Sequence, residues 1–139
     1  MRIVLAADEK HAPAKEQVKK FLTEQHCQVV DVSATDIFTA TIQVVEKIKE
    51  DQTAKGIVID GYGVAPFMIA NKQHGIICAA VYDDYTAKMT RRHNATQIIA
   101  MGAAILAPEA LCSLAMDFIE SEYDGGRHQV RIDMLNKML

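Results

Sequence analysis

The chain has 139 residues, of which 50% are apolar and 24% are charged, and its formal net charge is −3. This balance is typical of one globular domain, which we expect over residues 1–139. The charges form no basic block, and no apolar run approaches the roughly 20 residues of a membrane span, so we expect no nucleic-acid partner, no membrane insertion and no export signal. The three cysteines lack a CxxC spacing, which argues against a disulfide framework or a zinc site and favours the cytoplasm.

Short apolar runs alternate with segments of helical periodicity along the chain. The apolar runs predict five buried strands, at residues 3–7, 29–32, 56–59, 76–81 and 98–101. The periodic segments predict helices at residues 13–25, 42–48, 66–71, 84–94, 108–122 and 128–138. This alternation indicates βα units, so the predicted fold is a single-domain, Rossmann-like α/β/α structure of three layers around a five-stranded, mostly parallel sheet.

Residues 124–139 form a predicted C-terminal arm. Asp124, Gly125 and Gly126 interrupt the chain before its last helix. That helix has an apolar stripe made of Val130, Met134, Leu135 and Met138. We expect the stripe to dock on a partner chain.

Acidic residues follow the first and third predicted strands. Ligands of parallel sheets bind beyond the carboxyl ends of the strands, so Asp8, Glu9 and Asp60 are expected to converge there. Converging carboxylates also resemble a response-regulator receiver domain, in which they hold Mg²⁺ and accept a phosphoryl group. Such domains carry Ser or Thr after the fourth strand and Lys after the fifth. This chain has Tyr82 and Ala103 in those regions, which argues against a receiver.

A glycine-containing loop follows the third predicted strand. Gly61, Tyr62 and Gly63 precede a helix, and glycines there could let backbone N–H groups approach an anion. An ordinary tight turn explains the same residues equally well. The loop matches neither a dinucleotide fingerprint nor a P-loop.

Basic and imidazole side chains mark two further segments. Arg127 and Arg131 are four residues apart, so they can lie on one helix face and grip a phosphate or carboxylate, or they can be a solvated surface pair. His93 can exchange a proton near neutral pH, although an isolated exposed histidine often has no role. His11, His26, His74 and His128 have no stronger claim individually.

Together these segments resemble the family of ribose-5-phosphate isomerase B and the galactose-6-phosphate isomerase subunits. The likeness covers essentially the whole chain and rests on AAD at 6–8, GYGV at 61–64, IANK at 69–72, RHN at 92–94 and YDGGRHQVR at 123–131. Within the family, the C-terminal sequence is most similar to the A subunit of galactose-6-phosphate isomerase. The resemblance implies reversible aldose to ketose conversion of a phosphorylated sugar, with no metal and no cofactor.

The resemblance also implies roles for individual residues. His93 matches a histidine that assists ring opening, Asn94 matches its polar neighbour, and Arg127 and Arg131 match arginines that bind the phosphate. In catalytic members, a cysteine ending the third strand moves the proton between C1 and C2, and this chain has Asp60 there.

Further departures surround Asp60. Glu9 replaces a histidine beside Asp8, Tyr62 replaces a threonine, and Pro66 brings a residue without an N–H group into the glycine loop. We therefore expect Asp8, Glu9, Asp60 and the loop at residues 61–63 to form a degenerate half-site. The half-site of His93, Asn94, Arg127 and Arg131 is expected to serve a B subunit that supplies the cysteine.

Two alternatives remain open. One is a homo-oligomeric isomerase of ribose 5-phosphate that uses Asp60 as its base. The other is a subunit that binds sugar phosphates without taking part in turnover.

Overall fold

A computed structural model describes residues 1–138. These residues form five strands, β1 (Arg2–Ala7), β2 (Gln28–Asp31), β3 (Lys55–Asp60), β4 (Cys78–Ala80) and β5 (Ile98–Gly102). They also form six α-helices, α1 (Ala12–Glu24), α2 (Ile37–Glu50), α3 (Val64–Asn71), α4 (Asp84–Asn94), α5 (Pro108–Glu120) and α6 (Gln129–Lys137). Short 3₁₀ turns at Glu9–His11 and Gly126–His128 precede α1 and α6.

The strands form one sheet in the order β2-β1-β3-β5-β4, and every neighbouring pair is parallel. Helices α1, α4 and α5 contribute buried side chains to the core on one face of the sheet, whereas α2 and α3 contribute to the core on the other. The predicted three-layer α/β fold is therefore confirmed. None of the helices within residues 1–138 is both long enough and apolar enough to cross a membrane.

Side chains of the central strand β3 alternate between the two cores. Ile57 and Ile59 face the α1 and α5 side, and Val58 faces the α2 side. Position 56 favours glycine, because a Cβ there would come within 2.8 Å of Val44 and 2.9 Å of Ile98. Helix α2 therefore packs close against the sheet.

The edge strands differ from the prediction of five fully buried strands. Every residue of β2 is at least partly exposed, and β4 spans three residues instead of the predicted six. Both strands lie at the ends of the sheet and have one strand neighbour each, so their apolar side chains are only half covered.

Helix α4 connects the two neighbouring parallel strands β4 and β5. It begins after Asp83, whose carboxylate accepts a hydrogen bond from the N–H of Thr86 at 2.8 Å. It ends at Asn94, because Ala95 adopts a left-handed conformation with φ 51°. A helix between two parallel strands runs antiparallel to them, so His93 and Asn94 lie at the edge of the sheet where the strands begin.

Candidate functional site

Two strand-end carboxylates meet at the carboxyl edge of the sheet, as predicted. Asp8 follows β1 and Asp60 ends β3, and these strands are direct neighbours with Ala7 opposite Ile59. Burial raises the pKa of the Asp60 carboxyl, the N–H of Gly63 opposes this shift, and the negative charge of Asp8 raises the pKa further. The two carboxylates are thus electrostatically coupled.

Glu9 does not join this pair, which corrects the prediction of three converging carboxylates. Its N–H group donates a hydrogen bond to the carbonyl of Thr35 at 3.1 Å, and this bond fixes the 3₁₀ turn after β1. The Glu9 side chain is exposed, and it lines a shallow depression together with Ser33 and Thr35. Asp8 lines the same depression, which lies on the β2 side of β1, whereas β3 lies on the other side of β1.

The third side chain at this edge, beside Asp8 and Asp60, is His11, which the sequence analysis did not single out. Its Nδ1 lies 2.7 Å from Asp8 Oδ1, and its charge lowers the pKa of Asp60. A Cβ on Gly61 would come within 3.5 Å of the His11 ring. The signal in the sequence is the three-residue spacing of Asp8 and His11, which becomes a contact once the 3₁₀ turn forms.

The loop after β3 is closed by the side chain of Asp60. Gly63 adopts φ 74° and donates its N–H to Asp60 Oδ1 at 2.6 Å. The sequence analysis considered the N–H groups of this loop as donors to a bound anion, but the N–H of Gly63 donates to a carboxylate within the chain. The Tyr62 side chain is exposed, while the buried Tyr82 hydroxyl beside Gly63 makes no hydrogen bond within the described residues.

A second cluster forms where α4 ends and α6 begins. Arg131 donates from Nε and Nη2 to Asn94 Oδ1 at 3.2 and 2.9 Å, and from Nη2 to the carbonyl of His93 at 3.0 Å. The rings of His93 and His128 stack with centroids 4.4 Å apart. The structure thus brings together His93, Asn94 and Arg131, as predicted, and adds His128.

Arg127 lies beside this cluster in the 3₁₀ turn before α6, one residue outside the predicted start of the last helix. Partial desolvation lowers the pKa of His128, and the positive charges of His93, Arg127 and Arg131 lower it further. The lowered pKa favours the neutral form of His128, so the positive charge of this exposed surface comes from Arg127 and Arg131, and two guanidinium groups suit an anionic ligand.

The same surface holds a candidate set of metal ligands. Ligand atoms of His93, Asp124 and His128 lie within 4.8 Å of one another. The two rings are nearly parallel, at 12°, so their lone pairs do not converge on one point, and Asp124 is paired with Arg92 at 3.1 Å. This geometry suits a surface for anions better than a metal centre.

The two clusters lie at opposite edges of the sheet. Asp8, Asp60 and Gly63 follow strand ends, whereas His93 and Asn94 end a helix that runs back to the strand beginnings. Arg91, at the same end of α4, donates to the carbonyl of Thr96 just before β5, and its charge lowers the pKa of Lys55 at the start of β3. A strand of six residues separates such edges by about 17 Å at 3.3 Å per residue.

Comparisons with known proteins agree with the resemblance seen in the sequence. The profile of a family described as Ribose/Galactose Isomerase matches residues 3–135. The galactose-6-phosphate isomerase subunit LacA of Lactococcus lactis subsp. lactis is 45% identical over 140 residues, covering 99% of each chain. The protein with the same name from Streptococcus pneumoniae (strain 70585) is 44% identical over the same length and coverage.

Solved structures agree as well. Ribose-5-phosphate isomerase B of Clostridium thermocellum has a TM-score of 0.94 at 27% identity, covering 99% of this chain and 97% of that one. The enzyme of the same name from Mycoplasma genitalium, with bound ribulose-5-phosphate, has a TM-score of 0.92 at 27% identity, covering 98% and 94%. The predicted enzyme class, a sugar-phosphate isomerase, is confirmed, and the chain belongs to the Ribose/Galactose Isomerase family.

Proposed function

We propose that this chain is one subunit of a galactose-6-phosphate isomerase, which interconverts D-galactose 6-phosphate and D-tagatose 6-phosphate in the cytoplasm during the breakdown of lactose or galactose. It acts at sites shared with a B subunit that supplies a cysteine. His93 assists opening of the sugar ring, and Arg127 and Arg131 bind the phosphate. No metal or cofactor takes part.

The single observation that carries this proposal is the separation of the two clusters. The cationic cluster, which comprises His93, Asn94, Arg127 and Arg131, lies at the edge where the strands begin, and the strand-end carboxylates lie at the opposite edge. A six-residue strand spans about 17 Å between such edges. A sugar phosphate spans less than this distance, so one chain does not bring both clusters to one substrate. A second chain, packed against the cationic cluster, can supply the missing groups.

The chain's own strand-end cleft is poorly suited to the reaction. A phosphorylated sugar and its enediolate are anionic, and this cleft presents the carboxylates of Asp8 and Asp60. The Gly63 N–H, which could stabilise an enediolate oxygen, donates to Asp60 instead. These contacts support a division of labour in which this chain gives its cationic cluster to a partner.

Exposed apolar side chains support a partner chain. Helix α3 is apolar on all sides, and Val64, Phe67 and Met68 remain at least 36% exposed on it. Helix α6 is anchored to the domain by the buried Ile132, while the predicted stripe is 41–75% exposed at Val130, Met134, Leu135 and Met138. Exposed apolar patches of this kind mark protein interfaces.

The proposal is tested by mixing the purified chain with the B subunit and assaying galactose 6-phosphate. Each protein alone is expected to be inactive and the mixture active. Arg127→Ala should reduce kcat/KM of the mixture by about 100-fold, because a charged bidentate contact to phosphate is lost. Lys20→Ala, on the exposed surface of α1, is the matched control for loss of one positive charge and should have no effect.

The same proteins distinguish the alternatives. Titration of this chain into excess B subunit should raise activity in proportion to the chain added, whereas a purely regulatory subunit would modulate activity that is already present. Turnover of galactose 6-phosphate by the chain alone, or a fully active Arg127→Ala mixture, would overturn the proposal. Turnover of ribose 5-phosphate by the chain alone would instead support a homo-oligomer that uses Asp60, whose raised pKa is compatible with a base.

A further inference from the structure

Lys55, the first residue of β3, places its ammonium at the C-terminal end of α5. The residue is 3% exposed, and its Nζ donates to the carbonyls of Ile119 and Ser121 at 2.8 and 3.0 Å. The last carbonyls of an α-helix have no partner within the helix, and the helix dipole also favours a cation near them. Lys55 therefore caps α5 and holds the carbonyl of Ser121, the residue at which the chain leaves the helix.

The surroundings of this ammonium make lysine a costly residue for the position. Burial, followed by the positive charge of Arg91, lowers the pKa of Lys55 to about 8, and the charge of Glu122 opposes them only in part. The ring centroid of Phe118 lies 5.7 Å from the ammonium, so an apolar side chain would find apolar contacts here. Packing of the core therefore does not account for a buried cation. What the ammonium adds is two directed hydrogen bonds to the end of α5.

The chain between α5 and α6 is fastened at two points. Lys55 holds the carbonyl of Ser121, and three residues further on the N–H of Asp124 donates to the carbonyl of Arg92 at 2.9 Å. The two glycines at 125–126 follow, both with positive φ, and no atom lies within 4 Å of their Cβ positions. Glycine restricts the backbone little, so the direction of the chain is set before these two residues.

We propose that Lys55 is a positioning residue, which holds the end of α5 and so sets the path of residues 121–126 and the placement of Arg127 and Arg131. This proposal rests on the proposed function, in which these two arginines bind the phosphate of the sugar. A misplacement of about 1 Å in a binding site can lower a rate about 100-fold, so the loss of this contact is measurable. The competing explanation is that Lys55 only stabilises the fold.

Binding of inorganic phosphate to the full chain, followed by NMR, tests the proposal. Lys55→Met keeps most of the apolar side chain and removes both hydrogen bonds. It should weaken phosphate binding about five-fold and increase the backbone mobility of residues 121–128. Val45→Ala, in the core on the other face of the sheet, is the control for lost stability, and Lys20→Met, on the exposed surface of α1, is the control for lost charge. Both controls should leave the affinity within two-fold.

Kinetics of the mixture with B subunit separate positioning from a loss of stability. Lys55→Met should raise KM for galactose 6-phosphate about five-fold and leave kcat within two-fold, because only the grip on the phosphate is weakened. Loss of folded protein would instead lower the apparent kcat and leave KM unchanged. Lys55→Gln keeps a neutral N–H donor, so it is the second variant and should raise KM about two-fold.

The outcomes for the two proposals remain distinguishable. A loss of phosphate affinity in Lys55→Met no larger than in Val45→Ala, or absence of phosphate binding by the unsubstituted chain, would overturn the role of Lys55. An inactive mixture, together with weaker phosphate binding by Lys55→Met, would overturn the proposed function and leave the positioning of Arg127 and Arg131 standing.

Discussion

The carboxylate of Asp60 accepts a hydrogen bond from the backbone N–H of Gly63 at 2.6 Å, so the loop after the central strand is fastened by the residue that ends that strand. This bond gives a structural role to a carboxylate that stands where a catalytic base would be expected. It also places a carboxylate beside a second carboxylate, Asp8, in a half-buried setting. Both consequences can be measured.

Substitution of Asp60 should affect stability differently depending on whether the acceptor is kept. Asp60→Ala removes the partner of the Gly63 N–H and should lower the free energy of unfolding by about 1–2 kcal/mol. Asp60→Asn keeps a side-chain carbonyl for this bond and removes a charge next to Asp8, so it should cost less. Urea unfolding of both variants at pH 7 makes the comparison.

The pH dependence of the same site follows from its raised pKa. Because folding raises the pKa of Asp60, the folded state holds a proton more tightly than the unfolded state, and stability is lost as pH rises through the folded pKa. The stability of Asp60→Asn relative to the unsubstituted chain should therefore increase between pH 4 and pH 7. A constant difference over this range would show that burial and Asp8 do not disfavour the charge.

Asp31 should stabilise the fold in a manner sensitive to acid. Burial opposes its charge, but hydrogen bonds from Lys15 and Ser33 prevail and lower the pKa of Asp31 to about 2. Its stabilising contribution is present above the unfolded value of 3.8 and is lost as pH falls towards 2. Asp31→Asn should lower the free energy of unfolding by about 1–2 kcal/mol at pH 7, a value reduced because solvent screens this partly exposed charge. The loss should become progressively smaller below pH 4.

Lys55 should also make stability rise with pH, but in the alkaline range. The residue is 3% exposed, and its ammonium donates to the carbonyls of Ile119 and Ser121. Burial, followed by the charge of Arg91, lowers the pKa of Lys55 to about 8. Between pH 8 and 10.5 the unfolded chain binds more protons, so stability due to this group rises with pH. In the unsubstituted chain, the free energy of unfolding should rise by at most about 3 kcal/mol between pH 7 and pH 10 because of this group. Lys55→Met should lack that rise, which urea unfolding at the two pH values measures.

Gly102 should tolerate no side chain, because of the loop that crosses it. A Cβ at this position would lie 2.7 Å from the Tyr62 backbone, so Gly102→Ala must displace the loop and should cost at least about 2 kcal/mol. Gly75→Ala is the matched control, since Gly75 has φ 74° with no atom within 4 Å of its Cβ position. Its cost should be the backbone strain alone, about 1 kcal/mol, in thermal or urea unfolding.

The sequence predicted the fold well because the periodicity of each segment agrees with its place in the sheet. The bounds of α4, residues 84–94, are predicted to the residue. The exposure of β2 escaped prediction, because an apolar run does not reveal whether a strand lies at the edge of its sheet. Burial depends on neighbours that are distant in the chain.

The candidate site was predicted less completely. His93, Asn94 and Arg131 were singled out and do lie together, but their contact with His128 depends on the turn at Gly126–His128, which had no clear signal. The distance between His93 and Asp60 could have been inferred, because a helix in a βα unit always returns to the edge where the strands begin. The functional roles of these residues remain predictions.

Because the cationic cluster and the strand-end cleft occupy opposite edges of the sheet, two chains that share their sites under the proposed function, related by a dyad, would form two composite clefts, each built reciprocally from both molecules. In a pair of unlike chains, under the proposed function, these clefts differ in composition, and the one that contains Asp60 has no thiol. Such a pair has one productive centre for two polypeptides, so a tight-binding substrate analogue should saturate it at half a molecule per chain.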